Sequence, residues 1–284
     1  MSKTIETRDV PLGDITFTVD LAGPASGQPI LFLHGFPQSR HAWRAQIAHL
    51  AAAGFRCIAP DQRGYSPGAR PPGIDPYAAQ NLVADALGLM DALGHPRFHL
   101  VGHDWGGQLA WLIACSAAAQ RVHRLAVLSR PHPAAFALAM ETDTAQAKRS
   151  GHHRAFQDDS AAAGIRENDF ARFRAMFEAQ GVPAATAQAY IDTLSPLGAL
   201  ESAIAWYRAG GAASLRARDV PPAPQPTLYI WGDADATVGR PAAEATADFV
   251  TGAYRLAVLE GAGHFLTDQV PERVNALLLE HLRA

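Results

Sequence analysis

Gly102-His103-Asp104-Trp105-Gly106 sets a carboxylate between two glycines, where an apolar run meets a helix-forming one. The residues before it, 97–101, are short, apolar and partly β-branched and read as a buried strand. Those after it, 108–115, are rich in helix formers and read as a buried helix. A sharp strand-to-helix turn strains the backbone of its central residue and crowds the flanks, which suits glycine there. The new helix points its N-terminus at Asp104. That favours a charged carboxylate and turns backbone N–H groups toward any developing oxyanion. The spacing is that of a nucleophile elbow, with Asp where Ser is usual. An Asp capping an ordinary helix would have the same local sequence, so distant residues must decide.

Two later loops supply them. Trp231-Gly232-Asp233-Ala234-Asp235 closes one apolar run, and Gly261-Ala262-Gly263-His264-Phe265 follows another at 254–259. If both runs are parallel strands, these loops and Asp104 share one sheet edge. Nucleophile, acid and histidine then follow in the chain order of α/β hydrolases. Either Asp233 or Asp235 could be the acid. A carboxylate, with an ordinary pKa of about 3.9, is ionised at neutral pH without help from a base. It can displace a leaving group from saturated carbon, giving an alkyl ester on Asp104. His264, ordinarily near pKa 6.5, would then activate water against that ester. His34-Gly35-Phe36-Pro37-Gln38 ends a further buried run and could present the Phe36 N–H as an oxyanion donor; Pro37 permits a cis bond.

The elements that must hold these loops are readable from alternating patterns. Ile15-Thr16-Phe17-Thr18-Val19 reads as a strand of an N-terminal antiparallel hairpin. The runs 30–33, 55–59 and 125–128 read as buried strands, with helices over 41–54 and 77–93 between them. After Pro133 no clear strand appears before Thr227, and helical stretches fall near 134–150, 167–180, 184–194 and 200–209. Pro221-Pro222-Ala223-Pro224-Gln225-Pro226 reads as a stiff linker. The expectation is an α/β fold with a mostly parallel central sheet, helices on both faces and an inserted helical cap. The core takes 1–133 and 223–284 and the cap 134–222, over the strand ends where parallel sheets bind ligands. Asp61 and Arg63 are expected to pair with neighbours.

Bulk properties narrow the function classes. With 48% hydrophobic and 18% charged residues among 284, the chain is globular. A net charge of -3 makes no electrostatic case for nucleic acid or a membrane surface. No apolar run reaches bilayer length, and the N-terminal residues lack the apolar segment of a signal peptide. Cys57 and Cys115 sit in apolar runs and read as buried free thiols, so a cytoplasmic setting is expected. His95, His99 and His103 are evenly spaced but match no zinc pattern, and the chemistry requires neither metal nor other cofactor. The expected partner is a small-molecule substrate, and the protein itself a monomer or homodimer.

Over nearly its whole length the sequence resembles the epoxide hydrolase and dehalogenase branch of the α/β-hydrolase superfamily, most of all the soluble bacterial epoxide hydrolases. The resemblance lies in His34-Gly35-Phe36-Pro37, Asp61-Gln62-Arg63-Gly64-Tyr65, the elbow, Trp206-Tyr207-Arg208, Gly232 to Asp235 and Gly263-His264. It implies Asp104 as nucleophile, His264 as base, and backbone N–H groups of Phe36 and Trp105 as the oxyanion hole. The spacing of glycine and acid favours Asp235 over Asp233. Tyr207 matches the cap tyrosine that hydrogen-bonds an epoxide oxygen. A second lid tyrosine, usual in the family, is replaced by His152; some relatives have histidine there, and the alignment could shift to His153. His34, Pro37, His153 and Phe265 would flank the substrate pocket.

The implied reaction opens an epoxide to a vicinal diol. The alternatives are a haloacetate or haloalkane dehalogenase with the same triad, and a non-hydrolytic ligand-binding homologue. Haloalkane dehalogenases typically have Asn in place of Phe36. Fluoroacetate dehalogenases hold their carboxylate with arginines one and four places after the nucleophile, where this chain has Trp105 and Gln108. A neutral, apolar substrate is therefore expected.

Overall fold

The computed structural model describes residues 4–210 and 217–284. Its strands are β1 (Glu6–Leu12), β2 (Ile15–Ala22), β3 (Pro29–Leu33), β4 (Arg56–Pro60), β5 (Phe98–His103), β6 (Val122–Leu128), β7 (Thr227–Gly232) and β8 (Tyr254–Leu259). They form one eight-stranded sheet in the order β1-β2-β4-β3-β5-β6-β7-β8. β1 and β2 pair antiparallel, as do β2 and β4, and all other neighbours are parallel. β5 and β7 are buried along their whole length, which explains their near-continuous apolar sequences.

The strand order fixes where chemistry can sit. From β3 the chain first adds β4 on one side and then crosses to add β5 on the other. The carboxyl ends of β3 and β5 are thus neighbours with diverging connections, the crevice where open α/β sheets take ligands. Leu33 lies opposite Gly102 in that register. The loop from Leu33 and the elbow from His103 therefore emerge side by side.

The helices that follow the early strands are α1 (Arg44–Ala52), α2 (Ala79–Ala92) and α3 (Trp105–Ala114). Between β6 and β7 lie α4 (Pro133–Thr142), α5 (Thr144–Arg149), α6 (His152–Ala155), α7 (Ala161–Ala179), α8 (Ala184–Leu194) and α9 (Ala199–Gly210). The stretch 211–216 of the expected cap lies outside the described residues. After β7 come α10 (Arg240–Ala245), α11 (Leu266–Gln269) and α12 (Pro271–Arg283). α12 buries Val274, Leu278 and Leu282 at four-residue steps and packs on α1, β6 and β7.

Several local expectations need correction. The stretch 134–150 is two helices, because Asp143 is extended and its carboxylate accepts the Ala145 N–H at 2.8 Å to start α5. α7 begins earlier than the sequence pattern indicated and leaves helical geometry from Glu167 to Phe170, with positive φ at Asn168, Asp169 and Phe170. The proline-rich segment before β7 is packed: Ala223 is buried and bridges Val250, and Gln225 Nε2 donates to the carbonyls of Ala114 and Ala119. Cys57 is buried as expected, whereas Cys115 is half-buried. Asp61 pairs with Arg40, and Arg63 forms a two-pronged pair with Asp85 at 2.6 and 2.7 Å.

Candidate active site

The elbow forms where β5 turns directly into α3. Asp104 takes φ 51° and ψ -118°, a conformation costly for a residue with a side chain. Its N–H donates to the Leu128 carbonyl at 3.2 Å, and its carbonyl accepts the first helical bond, from Gln108 N at 2.9 Å. The strain is tolerated because the neighbouring backbone is packed around it. A Cβ on Gly106 would lie 2.0 Å from the Leu33 oxygen, so β3 can approach the elbow only if residue 106 has no side chain.

That approach sets the surroundings of the Asp104 carboxylate. Phe36 N–H donates to Asp104 Oδ1 at 3.0 Å, and the Phe36–Pro37 peptide is cis. Asp104 Oδ2 lies 3.6 Å from His264 Nε2. The two carboxylate oxygens therefore face different groups. Burial alone would raise the Asp104 pKa, but the His264 hydrogen bond and charge, with the Trp105 N–H, hold it well below the usual carboxylate range. The side chain keeps 17% exposure, so it is reachable although deep in the fold.

His264 follows β8, and its Nδ1 lies 2.9 Å from Asp235 Oδ2. Asp235 Oδ1 accepts from Thr237 N and Oγ1, each at 2.7 Å, and from Val238 N at 3.1 Å. Asp235 is thus a buried carboxylate with three donors on Oδ1 and His264 on Oδ2, which keeps it ionised. Asp233 is exposed and only closes a turn on Gly261 N. Burial pushes His264 down, but the charge of Asp235 and the bond to Asp104 outweigh it and raise its pKa well above the usual imidazole value. The His264 carbonyl accepts from Ser129 Oγ at 3.1 Å and lies 2.8 Å from His103 Nε2, which fixes the loop.

The side formed by α6 and α9 is aromatic. α9 is tied to the core by Trp206 Nε1 donating to the Arg63 carbonyl at 2.9 Å and by Tyr77 Oη donating to Ser202 Oγ at 3.0 Å. These bonds hold Tyr207 over the elbow, its ring 5.4 Å from Phe36 and 5.1 Å from Trp105. Burial, reinforced by the Asp104 charge, pushes its phenol pKa well above the usual value, so it stays protonated. Gln157 Nε2 donates to the Tyr207 carbonyl at 2.9 Å, joining α9 to the end of α6. Both lid histidines reach Tyr207: His153 at 5.0 Å between ring centres and His152 at 6.1 Å. His152 Nδ1 lies 3.2 Å from the Arg149 carbonyl, whereas the ring nitrogens of His153 have no hydrogen-bond partner among the described residues. Burial lowers the pKa of both, of His153 to about 3, so both are neutral.

Residues 28–269 match the family model described as the alpha/beta hydrolase fold. The chain belongs to the α/β-hydrolase fold family. An α/β-hydrolase superfamily protein of Bacillus subtilis is 32% identical over 98% of each chain. Epoxide hydrolase A of Mycobacterium tuberculosis is 31% identical over 97% of this chain and 96% of its own. A solved structure described as a novel epoxide hydrolase from metagenomes of hot environments superposes with a TM-score of 0.87 at 30% identity, covering 98% of this chain and 99% of its own. The expected fold class and membership of the hydrolase class of enzymes both hold.

The other anticipated residues of this α/β hydrolase occupy varied positions. Pro37 is buried in the cis turn. Phe265 packs between His264 and Phe177. His34, expected along the pocket, uses both ring nitrogens internally: Nδ1 lies 3.0 Å from the Gly35 carbonyl and Nε2 accepts from Gln62 N at 3.2 Å. It braces the Phe36 loop and offers a substrate no free nitrogen. Among the described residues no group of His, Cys, Asp and Glu could hold a metal, and no helix is long and apolar enough to cross a membrane.

Sequence reasoning missed Thr237, Ser129 and Arg130. Thr237, two places after an acid in a polar turn, carried the one available signal. Arg130 follows a buried strand and sits in a Ser-Arg-Pro-His-Pro run that reads as an ordinary loop.

Proposed function

We propose that the protein is an epoxide hydrolase working through a covalent ester on Asp104. The carrying observation is the Tyr207 ring, 5.4 Å from that of Phe36 and 5.1 Å from that of Trp105, over a carboxylate whose Oδ1 is already bonded by the Phe36 N–H; burial and the Asp104 charge keep its phenol protonated. Asp104 Oδ2 attacks an epoxide carbon, the C–O bond breaks, and Tyr207 protonates the leaving oxygen. His153 or His152 supplies a second hydrogen bond. Forming the ester removes the Asp104 charge, one of the influences that raise the His264 pKa. His264 then returns a proton to the Tyr207 phenolate and becomes the neutral base the next step needs.

Water deprotonated by His264 adds to Cγ of Asp104. Oδ1 carries the oxyanion, facing the N–H groups of Phe36 and Trp105. Asp235 orients the imidazole and stabilises its charge. Collapse releases the diol, whose oxygen takes the remaining proton, and restores Asp104. Phe36, Trp105, Phe156 and Tyr207 suit an apolar or aryl body on the epoxide. A halide leaving group would need side-chain N–H donors; Phe36 has none, and Trp105 brings a single indole N–H.

Diol formation from styrene oxide, measured beside halide release from a haloalkane and from fluoroacetate, tests the reading. Epoxide opening is expected, with Tyr207→Phe lowering kcat about 10²-fold. Halide release by the wild type in the absence of any epoxide turnover would overturn it.

A further inference from the structure

Among the described residues, Arg130 is the one buried arginine, and it lacks a carboxylate partner. It is 7% exposed and makes no ion pair among the described residues, and the sequence outside them contains no Asp or Glu. Its Nε donates to Gln108 Oε1 at 2.9 Å, and its guanidinium carbon stands 4.3 Å over the Phe136 ring of α4. One amide oxygen and one ring face are thin compensation for a desolvated guanidinium. Four of its five N–H groups have no acceptor among the described residues.

The local backbone is built to place this side chain. β6 runs beside β5, with Leu128 opposite His103, and the Leu128 carbonyl holds Asp104 N. Two residues on, the Arg130 carbonyl is fixed by Trp111 Nε1 at 2.9 Å. A Cβ on Gly107 would lie 2.8 Å from Arg130 Cβ, so the missing side chain at 107 lets Arg130 lie along α3. It meets Gln108 one helical turn from the nucleophile. Its charge acts on Asp104, Tyr207, His152 and His153, the polar groups around the reacting position.

We infer that Arg130, steadied by Gln108, is an anion-binding residue of the active site and that the preferred substrate is an epoxide bearing a carboxylate; the epoxide part rests on the function proposed above. A guanidinium fork with Nε occupied still presents its two terminal nitrogens to a planar carboxylate. Without Arg130 such a substrate would meet Asp104 unshielded. The sequence suggests neutrality because Trp105 and Gln108 stand where arginines would. The structure instead brings an arginine to Gln108 from the neighbouring strand.

Two measurements test this separately from the epoxide reading. In calorimetry the wild type should bind 3-phenylpropanoate at least tenfold more tightly than 3-phenylpropanamide. Arg130→Met should erase that preference, and Arg130→Lys should keep part of it. In kinetics, Arg130→Met should lower kcat/KM for 3-phenylglycidate about 10²- to 10³-fold more than it lowers that for the glycidamide. Equal binding of acid and amide by the wild type overturns the assignment, and needs no variant to fold. So does a parallel loss on both epoxides, which would mark Arg130 as structural. Preference for the acid in binding, with neither epoxide opened, would keep the anion site and refute the epoxide reading.

Discussion

At the residue scale, Asp233 and Asp235 are chemically identical side chains two positions apart, and hydrogen bonding separates them. Asp235 is buried, accepts three bonds from Thr237 and Val238 and faces His264 Nδ1, whereas Asp233 lies exposed on a turn. Asp235→Asn should therefore lower steady-state turnover about 10²- to 10⁴-fold while leaving the alkylation half-reaction measurable. Asp233→Asn should stay within about twofold. Pre-steady-state quench of both variants checks this, and equal losses would contradict the assignment. Asp104, His264 and the candidate acids stood out because residue type, loop position, order along the chain and the family resemblance point the same way. Arg130 and Ser129 were not. Their roles depend on which strand lies beside β5, and that neighbour comes from more than twenty residues further along the chain.

At the scale of elements, the elbow depends on close backbone contact. Gly106→Ala would force a Cβ to within 2.0 Å of the Leu33 oxygen, so it should destabilise the protein by about 2 to 4 kcal/mol or prevent folding, read as a denaturation midpoint. A second element effect sits just beyond His264. Asp268 accepts from Gln38 Nε2 at 2.8 Å and from Tyr190 Oη at 3.0 Å, linking α11 to the Phe36 loop and to α8. Among the described residues no cation pairs with it, and burial pushes its pKa up to about 7.

A folded-state pKa above the unfolded value means that the folded form holds the proton more tightly. The resulting stability is full below about pH 4 and is lost as pH rises through 7. Asp268→Asn should thus raise the melting temperature more at pH 8 than at pH 5, by on the order of 1 to 3 kcal/mol in stability. An equal change at both pH values would count against it. None of this was readable beforehand, because Asp268 in Leu266–Gln269 looks like an ordinary first-turn acid. Strands were legible because burial on both faces leaves unbroken apolar runs. The cap helices blurred where Asp143 and Asn168 to Phe170 break the helix without glycine or proline to mark it.

At the scale of the molecule, the proposed site draws on one sheet and on the helical stretch between β6 and β7. The sheet edge holds Asp104, Asp235 and His264, and the helical stretch brings Tyr207 and the lid histidines over them. That stretch is built from short pieces, α5 and α6 among them, with much exposed surface and a break inside α7. Hydrogen exchange should accordingly be slowest in β3, β5 and β6 and faster by several orders of magnitude over 144–170. Protection as strong over 144–170 as in the central strands would argue against a separately opening cap.

The most direct test of the covalent account is intact mass. Incubated with an epoxide that the wild type hydrolyses, His264→Gln should gain the mass of one epoxide, and peptide mapping should place it on Asp104. Absence of any adduct on Asp104, with that same epoxide turned over by the wild type, would contradict the ester mechanism.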